Sequence, residues 1–305
     1  MTDIDKTAIF QSQRRRLLGI GYRMLGSRSE ADDLVQEAWL RWDRTPAAEI
    51  TSPEAWLVTC ATRLAIDRLR ELQREREQYV GPWLPEPIVE SLAPPADHLS
   101  EMASELSVAL LALLERLAPE ERAAFLLVEA FDTDYAELAQ ILGKSEAACR
   151  QIVSRARRRV HEEKPRVVVS ESARRRLLER YVTALLSRDA SAVAAILAEE
   201  ATLTSDGGGR AKAALKIVEG AAHVARFVVG VLDPWRDHGL EIRIVRVNGE
   251  LGLAVSAAGR LGVITSFETD GERILGIYSV LNPEKLARID LDDVVETGWP
   301  LGTRA

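Results

Sequence analysis

Aromatic side chains are scarce, at 5% of 305 residues, so any core must be built of Leu, Val, Ile and Ala. Cysteine occurs twice, as Cys60 and Cys149, far apart in the chain. That spacing excludes a disulfide scaffold and a thiolate metal cluster. Both fall within amphipathic helical patterns and read as buried thiols of a reducing compartment. With four histidines there is little material for a metal centre or a cofactor site, and none is expected. No apolar run approaches the roughly 20 residues that a membrane-spanning helix needs. The opening MTDIDKTAIFQ has no charged segment followed by an apolar one, so no secretory signal is read. A cytoplasmic protein with no membrane contact is expected. An excess of positive charge is also missing, since the formal net charge is −7. A uniformly basic nucleic-acid binder is thereby excluded.

The sign is unevenly spread. Arginines crowd residues 63–76 and 150–159, and acids crowd 86–121 and 284–296. Local patches, not the sum, make a nucleic-acid footprint. The acidic balance implies weak DNA binding by the chain alone.

The run DYAELAQILGKSEAACRQIVSRARRRV, residues 134–160, has the pattern of two short helices joined by a tight turn. Leu138, Ile141 and Leu142 give the first an apolar stripe. Gly143 stands where a helix end favours the left-handed region, and Ser145 can cap the next helix, with Glu146 at its positive end. On that helix Cys149, Ile152, Val153, Ala156 and Val160 share one face, while Arg150, Ser154, Arg157 and Arg158 share another. This is a helix-turn-helix whose second helix suits the major groove. A helical hairpin with a solvated basic face has the same pattern, and the upstream segments decide between the two.

Residues 9–77 read as helices, one opened by Ser29-Glu30-Ala31 and another by Ser52-Pro53-Glu54, the order of cap, proline and acid. Residues 79–104 hold GPWLPEP and a second proline pair, which cannot be continuous helix. Trp83 and Leu84 suggest that this linker docks. From residue 171 helices are expected at 173–187, 190–198 and 221–232, then strands at 241–247, 251–257, 261–267 and 273–281. Asn248-Gly249 and Asp270-Gly271 are two-residue hairpin signals, so an antiparallel meander follows. Residues 291–305 form an acidic tail.

Three motifs carry a resemblance. ADDLVQEAWLRW at 31–42, AWLVTCATRLAIDRLR at 55–70 and the helix-turn-helix together resemble the extracytoplasmic-function sigma factors of bacterial RNA polymerase. WLPEP at 83–87, DGGGR at 206–210 and NPEKL at 282–286 are similar to the subgroup that carries a SnoaL-like domain after region 4. The family pattern often has Asp where Glu284 stands and Lys where Arg210 stands; both departures conserve charge. The resemblance implies a multidomain protein. Two all-α sigma domains, a region 2 helical bundle (8–78) and a region 4 helix-turn-helix (105–164), flank a Pro-rich linker (79–104). An α+β SnoaL-like (NTF2-like) cone domain follows at 171–290, ahead of the tail.

Its implied partners are core RNA polymerase and promoter DNA. Asp33, Gln36 and Glu37 would meet the polymerase. Trp56, Arg63, Asp67, Arg70 and Arg74 would face the melted −10 element, although Trp56 at a helix start also reads as core. Lys144, Arg150, Gln151, Ser154, Arg155 and Arg158 would face the −35 element, with Arg157 to Arg159 on the backbone. A regulatory interface is expected among Trp83, Leu84, Pro85, Glu86 and Pro87 of the linker, Asp206, Gly207, Gly208, Gly209 and Arg210, and Asn282, Pro283, Glu284, Lys285 and Leu286. There Asp206–Arg210 reads as a loop, Asn282–Leu286 as a strand end, and Trp83 as the anchor. The extra domain would replace a separate anti-sigma factor.

SnoaL-like folds also host cyclases, isomerases and hydrolases. The acid/base candidates are Asp206, His223, Asp237 and His238, but His223 sits among alanines and reads as a packed or surface residue. No catalytic residue is assigned and no enzyme is expected. The cone is a candidate site for a small-molecule ligand, and the alternative readings are a SnoaL-like enzyme of one of these types and a ligand-sensing helix-turn-helix regulator. Such a regulator usually needs a dimer, and no heptad seam is visible.

Overall fold

The computed structural model describes residues 5–90, 107–163, 169–290, 292 and 300–302. The remainder of the linker and Trp299 of the tail lie outside the described residues. The chain divides into two compact units, one comprising residues 1–78 and 111–165 with 97–99, the other residues 79–96, 100–110 and 166–305.

The first unit is helical. α1 (Lys6–Leu25), α2 (Arg28–Arg44) and α3 (Pro53–Arg76) pack together. Each start has its own cap: Asp5 accepts from the Ala8 N–H, Ser27 from Glu30 and Ser52 from Ala55. Leu17, Leu18, Leu25, Leu57 and Leu69 are fully buried between the three helices. Trp42 is buried too, and its indole N–H donates to the Lys6 carbonyl at 2.9 Å, so its one polar atom has a partner.

Beyond α4 (Val108–Leu114) come α5 (Pro119–Phe131), α6 (Tyr135–Leu142) and α7 (Glu146–Glu163). α3 packs on α5 and α6, so the helices read as two separate sigma domains share one unit. A buried ionic cluster joins them. Arg122, with no exposed surface, donates through Nε to the Arg23 carbonyl at 3.0 Å and pairs with Glu115, which also takes Arg76. Charged residues in an acid-rich stretch gave no sequence signal for this joint. The guanidinium fork suits a buried pair because Nε and Nη1 are satisfied at once, while the buried Nη2 finds no partner among the described residues.

In the second unit α8 (Glu171–Leu186), α9 (Ala190–Ile196) and α10 (Ala221–Arg236) cover a seven-stranded sheet. The strands are β1 (Leu197–Asp206), β2 (Val218–Glu219), β3 (Leu240–Val247), β4 (Glu250–Ala257), β5 (Arg260–Thr269), β6 (Ile274–Val280) and β7 (Pro300–Gly302). α11 (Pro283–Leu286) follows β6. The order is β2-β1-β6-β5-β4-β3-β7. The first expected hairpin turns on Asn248 and Gly249, both at positive φ, 51° and 77°, as a two-residue turn of this kind requires; the second also forms, but four residues, 270–273, instead of the expected two join Thr269 to Ile274.

Four readings are corrected. The sheet is mixed, because β1 runs parallel to β6. Helix stops at Ile196 instead of 198, since Ala201, Leu203 and Ser205 alternate inward on a strand that ends at Asp206, which is therefore not in a loop. Asn282 caps a short helix through its side chain instead of ending a strand. The tail contributes β7, whose backbone pairs with β3.

The core between helices and sheet is Leu, Ile and Val with one aromatic contact, Tyr181 edge-on to Phe267 at 5.3 Å.

Gly143 has φ of 65°, with open space where a Cβ would stand, and its N–H closes α6 on the Ala139 carbonyl. Gly143→Ala should therefore cost about 1–2 kcal/mol by the left-handed penalty alone. The loss should appear as faster amide exchange across α6 and α7, with exchange across the sheet unchanged.

Candidate nucleic-acid interface and linker clasp

α7 is divided as its sequence demands. Cys149, Ile152, Val153, Ala156 and Val160 are buried, and burial pushes the Cys149 thiol upward, away from thiolate chemistry. Lys144, Arg150, Gln151, Ser154, Arg155 and Arg158 are all exposed. Five of them, Arg150 through Arg158, line one shallow groove of about 290 Å³. The Ser145 hydroxyl accepts from the Ala148 N–H at 3.2 Å and fixes the helix start. Arg150 lies over the Tyr135 ring at 5.1 Å and meets Glu146 at 2.8 Å.

On α3 the residues Arg63, Asp67, Arg70 and Arg74 are exposed along one face. Arg63 donates to the carbonyls of Ile141 and Gln140 at 2.9 and 3.1 Å, and Arg70 meets Asp67 and Glu120 at 2.9 and 3.0 Å. Trp56 is half-buried and tilted against Trp42, 5.6 Å between centroids. On α2 Asp33 and Gln36 are exposed, and Glu37, half-buried, pairs with Arg41 at 2.9 Å.

The linker motif meets the other two motifs inside the sheet unit. Asp206 has no exposed surface. Its carboxylate accepts from the Tyr79 hydroxyl at 2.6 Å, the Leu84 N–H at 2.8 Å and the Lys285 ammonium at 2.7 Å. Its carbonyl accepts from the N–H groups of Leu281 and Asn282 at 2.7 and 2.9 Å. Lys285 also donates to the Leu84 carbonyl and stands 4.0 Å from the Trp83 ring centroid. The Asn282 amide donates to the Tyr79 oxygen at 2.9 Å. Burial first, then the hydrogen bond to Asp206 and the charge of that carboxylate, push the Tyr79 phenol above its ordinary range. Gly208, at φ 57°, has no room for a Cβ, which would press on Asn282 and Tyr79. Gly207 to Gly209 thus form a turn over the clasp.

Leu84, 1% exposed, is the apolar anchor; Trp83, expected in that role, is half-buried and caps Lys285. Pro85, Glu86 and Pro87 are buried and Leu286 is 6% exposed, while Arg210 and Glu284 form an exposed pair at 2.7 Å. Pro283 opens α11 from the surface. Further on, Ile88 and Asn248 exchange two hydrogen bonds, N–H to Oδ1 at 3.0 Å and N–H to carbonyl at 2.8 Å.

Known proteins align with both halves. The Sigma-70 region 2 family matches residues 9–75, and Sigma-70, region 4 matches residues 107–160. The ECF RNA polymerase sigma factor SigJ of Mycobacterium tuberculosis is 36% identical over 310 residues, covering 97% of this chain and 94% of its own. The chain belongs to the extracytoplasmic-function sigma factors. A crystal structure of M. tuberculosis SigJ matches with a TM-score of 0.74 at 34% identity, over 92% of this chain and 98% of the other. The probable ECF sigma factor SigI of that species is 32% identical over 193 residues, covering 63% of this chain and 66% of its own.

As a sigma factor it directs RNA polymerase to promoters, with core polymerase and promoter DNA as partners. The sigma helices carry the exposed basic faces, and the clasp lies wholly in the sheet unit. The acid/base candidates do not converge: Asp206 is committed to the clasp, and His223, Asp237 and His238 are exposed. Two clasp residues escaped sequence reading. Tyr79 read only as the first residue of the linker, and Asn248 only as a hairpin residue.

Asp206→Ala should leave the Lys285 ammonium, 13% exposed, without its counter-charge. Breaking a buried pair on one side costs about 3–5 kcal/mol. Urea denaturation of the full chain should show that loss, together with protease cleavage near Trp83 that the parent resists.

Proposed function

We propose that this sigma factor divides its work among three surfaces and regulates itself in cis. Exposed Asp33 and Gln36 with Glu37 engage core polymerase by charge. Arg63, Asp67, Arg70 and Arg74, with the half-buried Trp56, hold the melted −10 strand by phosphate contact and stacking. Arg150, Gln151, Ser154 and Arg155 read −35 base edges, while Lys144 and Arg157 to Arg159 hold the backbone. The sheet domain is read as SnoaL-like and non-catalytic. It acts where other members of the family use a separate anti-sigma protein, and the chain works in the cytoplasm beside its polymerase.

The observation that carries the regulatory part is the buried Asp206–Lys285–Tyr79 clasp on the linker. A linker needed only as a tether has no use for a fully buried carboxylate. Release of the clasp lengthens the free chain ahead of region 4 and changes the −10 to −35 spacing that the two DNA-reading helices accept.

The test is transcription in vitro with purified core polymerase on promoters of varied spacer length. Lys285→Met should alter the spacer preference and leave co-elution with polymerase intact, whereas Asp33→Arg with Glu37→Arg should abolish co-elution. Arg150→Ala should cost about 1–3 kcal/mol at one −35 position and Arg158→Ala should weaken all promoters alike. An unchanged spacer preference in Lys285→Met refutes the cis contact.

A further inference from the structure

The DNA-reading arginines and lysine of the helical unit already hold carboxylates. Glu120, at the start of α5, stands between the two DNA-binding faces: one oxygen meets Arg70 of α3 at 3.0 Å and the other meets Lys144 of the turn at 3.2 Å. Its neighbour Glu121, 12% exposed at the side chain, meets Arg159 at 2.5 Å and Arg155 at 3.6 Å. Glu129 holds Arg157 at 2.6 Å. Arg70, Glu120, Glu121, Lys144, Gln151 and Arg155 line one cleft of about 440 Å³. Arg63 reaches across the same joint to the last carbonyls of α6.

A carboxylate bridging two cations has the charge and the acceptor oxygens of a backbone phosphate. We infer that Glu120, supported by Glu121, is an internal phosphate mimic that latches region 2 to region 4 and competes with promoter DNA for Arg70, Lys144 and Arg155. This goes beyond the linker clasp, since every group in it belongs to the helical unit. It rests on the reading that Arg70 and Lys144 touch DNA.

The competition has a defined salt signature. The pairs are partly exposed, with Glu120 38% and Arg70 48% open at the side chain, so salt screens them. DNA binding weakens with salt through counterion release. In the parent chain salt also loosens the latch, which offsets part of that loss. Removing the latch should therefore tighten binding most at low salt and steepen the dependence on salt.

The experiment uses the full chain and a fluorescently labelled promoter duplex, with anisotropy followed from low to high NaCl. Glu120→Gln should bind about two- to tenfold tighter at low salt, as two partly exposed ion pairs allow, and should converge on the parent at high salt. Glu272→Gln, the same charge change in the β5–β6 hairpin, should leave the curve where it was. Two dyes, one at Gln73 on α3 and one at Ala147 on α7, should show lower transfer efficiency in Glu120→Gln than in the parent. Equal affinity, equal salt slope and equal transfer in Glu120→Gln, with Lys144→Ala still weakening DNA binding, overturn the latch and leave the DNA assignment standing. If Arg70→Ala and Lys144→Ala both bind DNA as the parent does, the contact assignment beneath the latch fails, and the latch with it.

Discussion

The Asp206 carboxylate has no exposed surface, and the sheet unit is arranged around keeping it satisfied. An isolated carboxylate in such a place is costly by many kcal/mol. It is tolerable here because an ammonium, a phenol and a backbone N–H converge on it from two stretches of chain more than a hundred residues apart in sequence. That requirement explains the neighbouring residues. A glycine turn lets Tyr79 and Asn282 close over the site. The proline frame around Leu84 presents an N–H and a carbonyl without a helix or strand to claim them. Trp83 then presents an aromatic face to the Lys285 ammonium, which favours the cation.

Charge accounts in the same way for a DNA-binding chain that is acidic overall. Part of the acidic balance sits among the arginines themselves. Glu115 neutralises Arg76 and Arg122 inside the helical unit, and Glu120, Glu121 and Glu129 neutralise arginines on its exposed basic faces. A recognition helix whose cations are engaged internally binds nucleic acid weakly until another contact joins in. For a subunit that must find promoters only as part of a larger enzyme, weak binding alone limits capture by non-specific DNA.

What the sequence reveals follows the range of the interactions. The helix-turn-helix was legible residue by residue, because its signals act within a few positions: an apolar face at helical period, a glycine at a helix end, a serine cap. The two hairpins were legible for the same reason. β1 was not, since its partner β6 is parallel and some seventy residues away, and its Glu-Glu-Ala-Thr start alternates only weakly. The motif triplet announced a shared interface, yet the roles inside it had to come from the structure. Leu84 anchors in place of the larger Trp83, because the smaller side chain fits beneath a backbone that also feeds Asp206. Glu120 and Glu121 carried no signal at all, since acids early in a helix are expected from the helix dipole alone.

Two grades of ion pair follow from burial. Asp206 with Lys285, and Glu115 with Arg122, are shielded from water, so exchanging either partner for solvent is expensive. They hold each unit's fold, and opening one takes a competing interaction of similar strength. The pairs of Glu120, Glu129 and Glu146 are open to water, individually worth about 0–1 kcal/mol, and compete on even terms with phosphate. With the weak grade on the surface of the helical unit and the strong grade buried inside each unit, the chain can give up surface contacts while each unit keeps its fold. A protein built only from the strong grade would be rigid toward DNA, and one built only from the weak grade could not hold a proline-rich linker against a sheet.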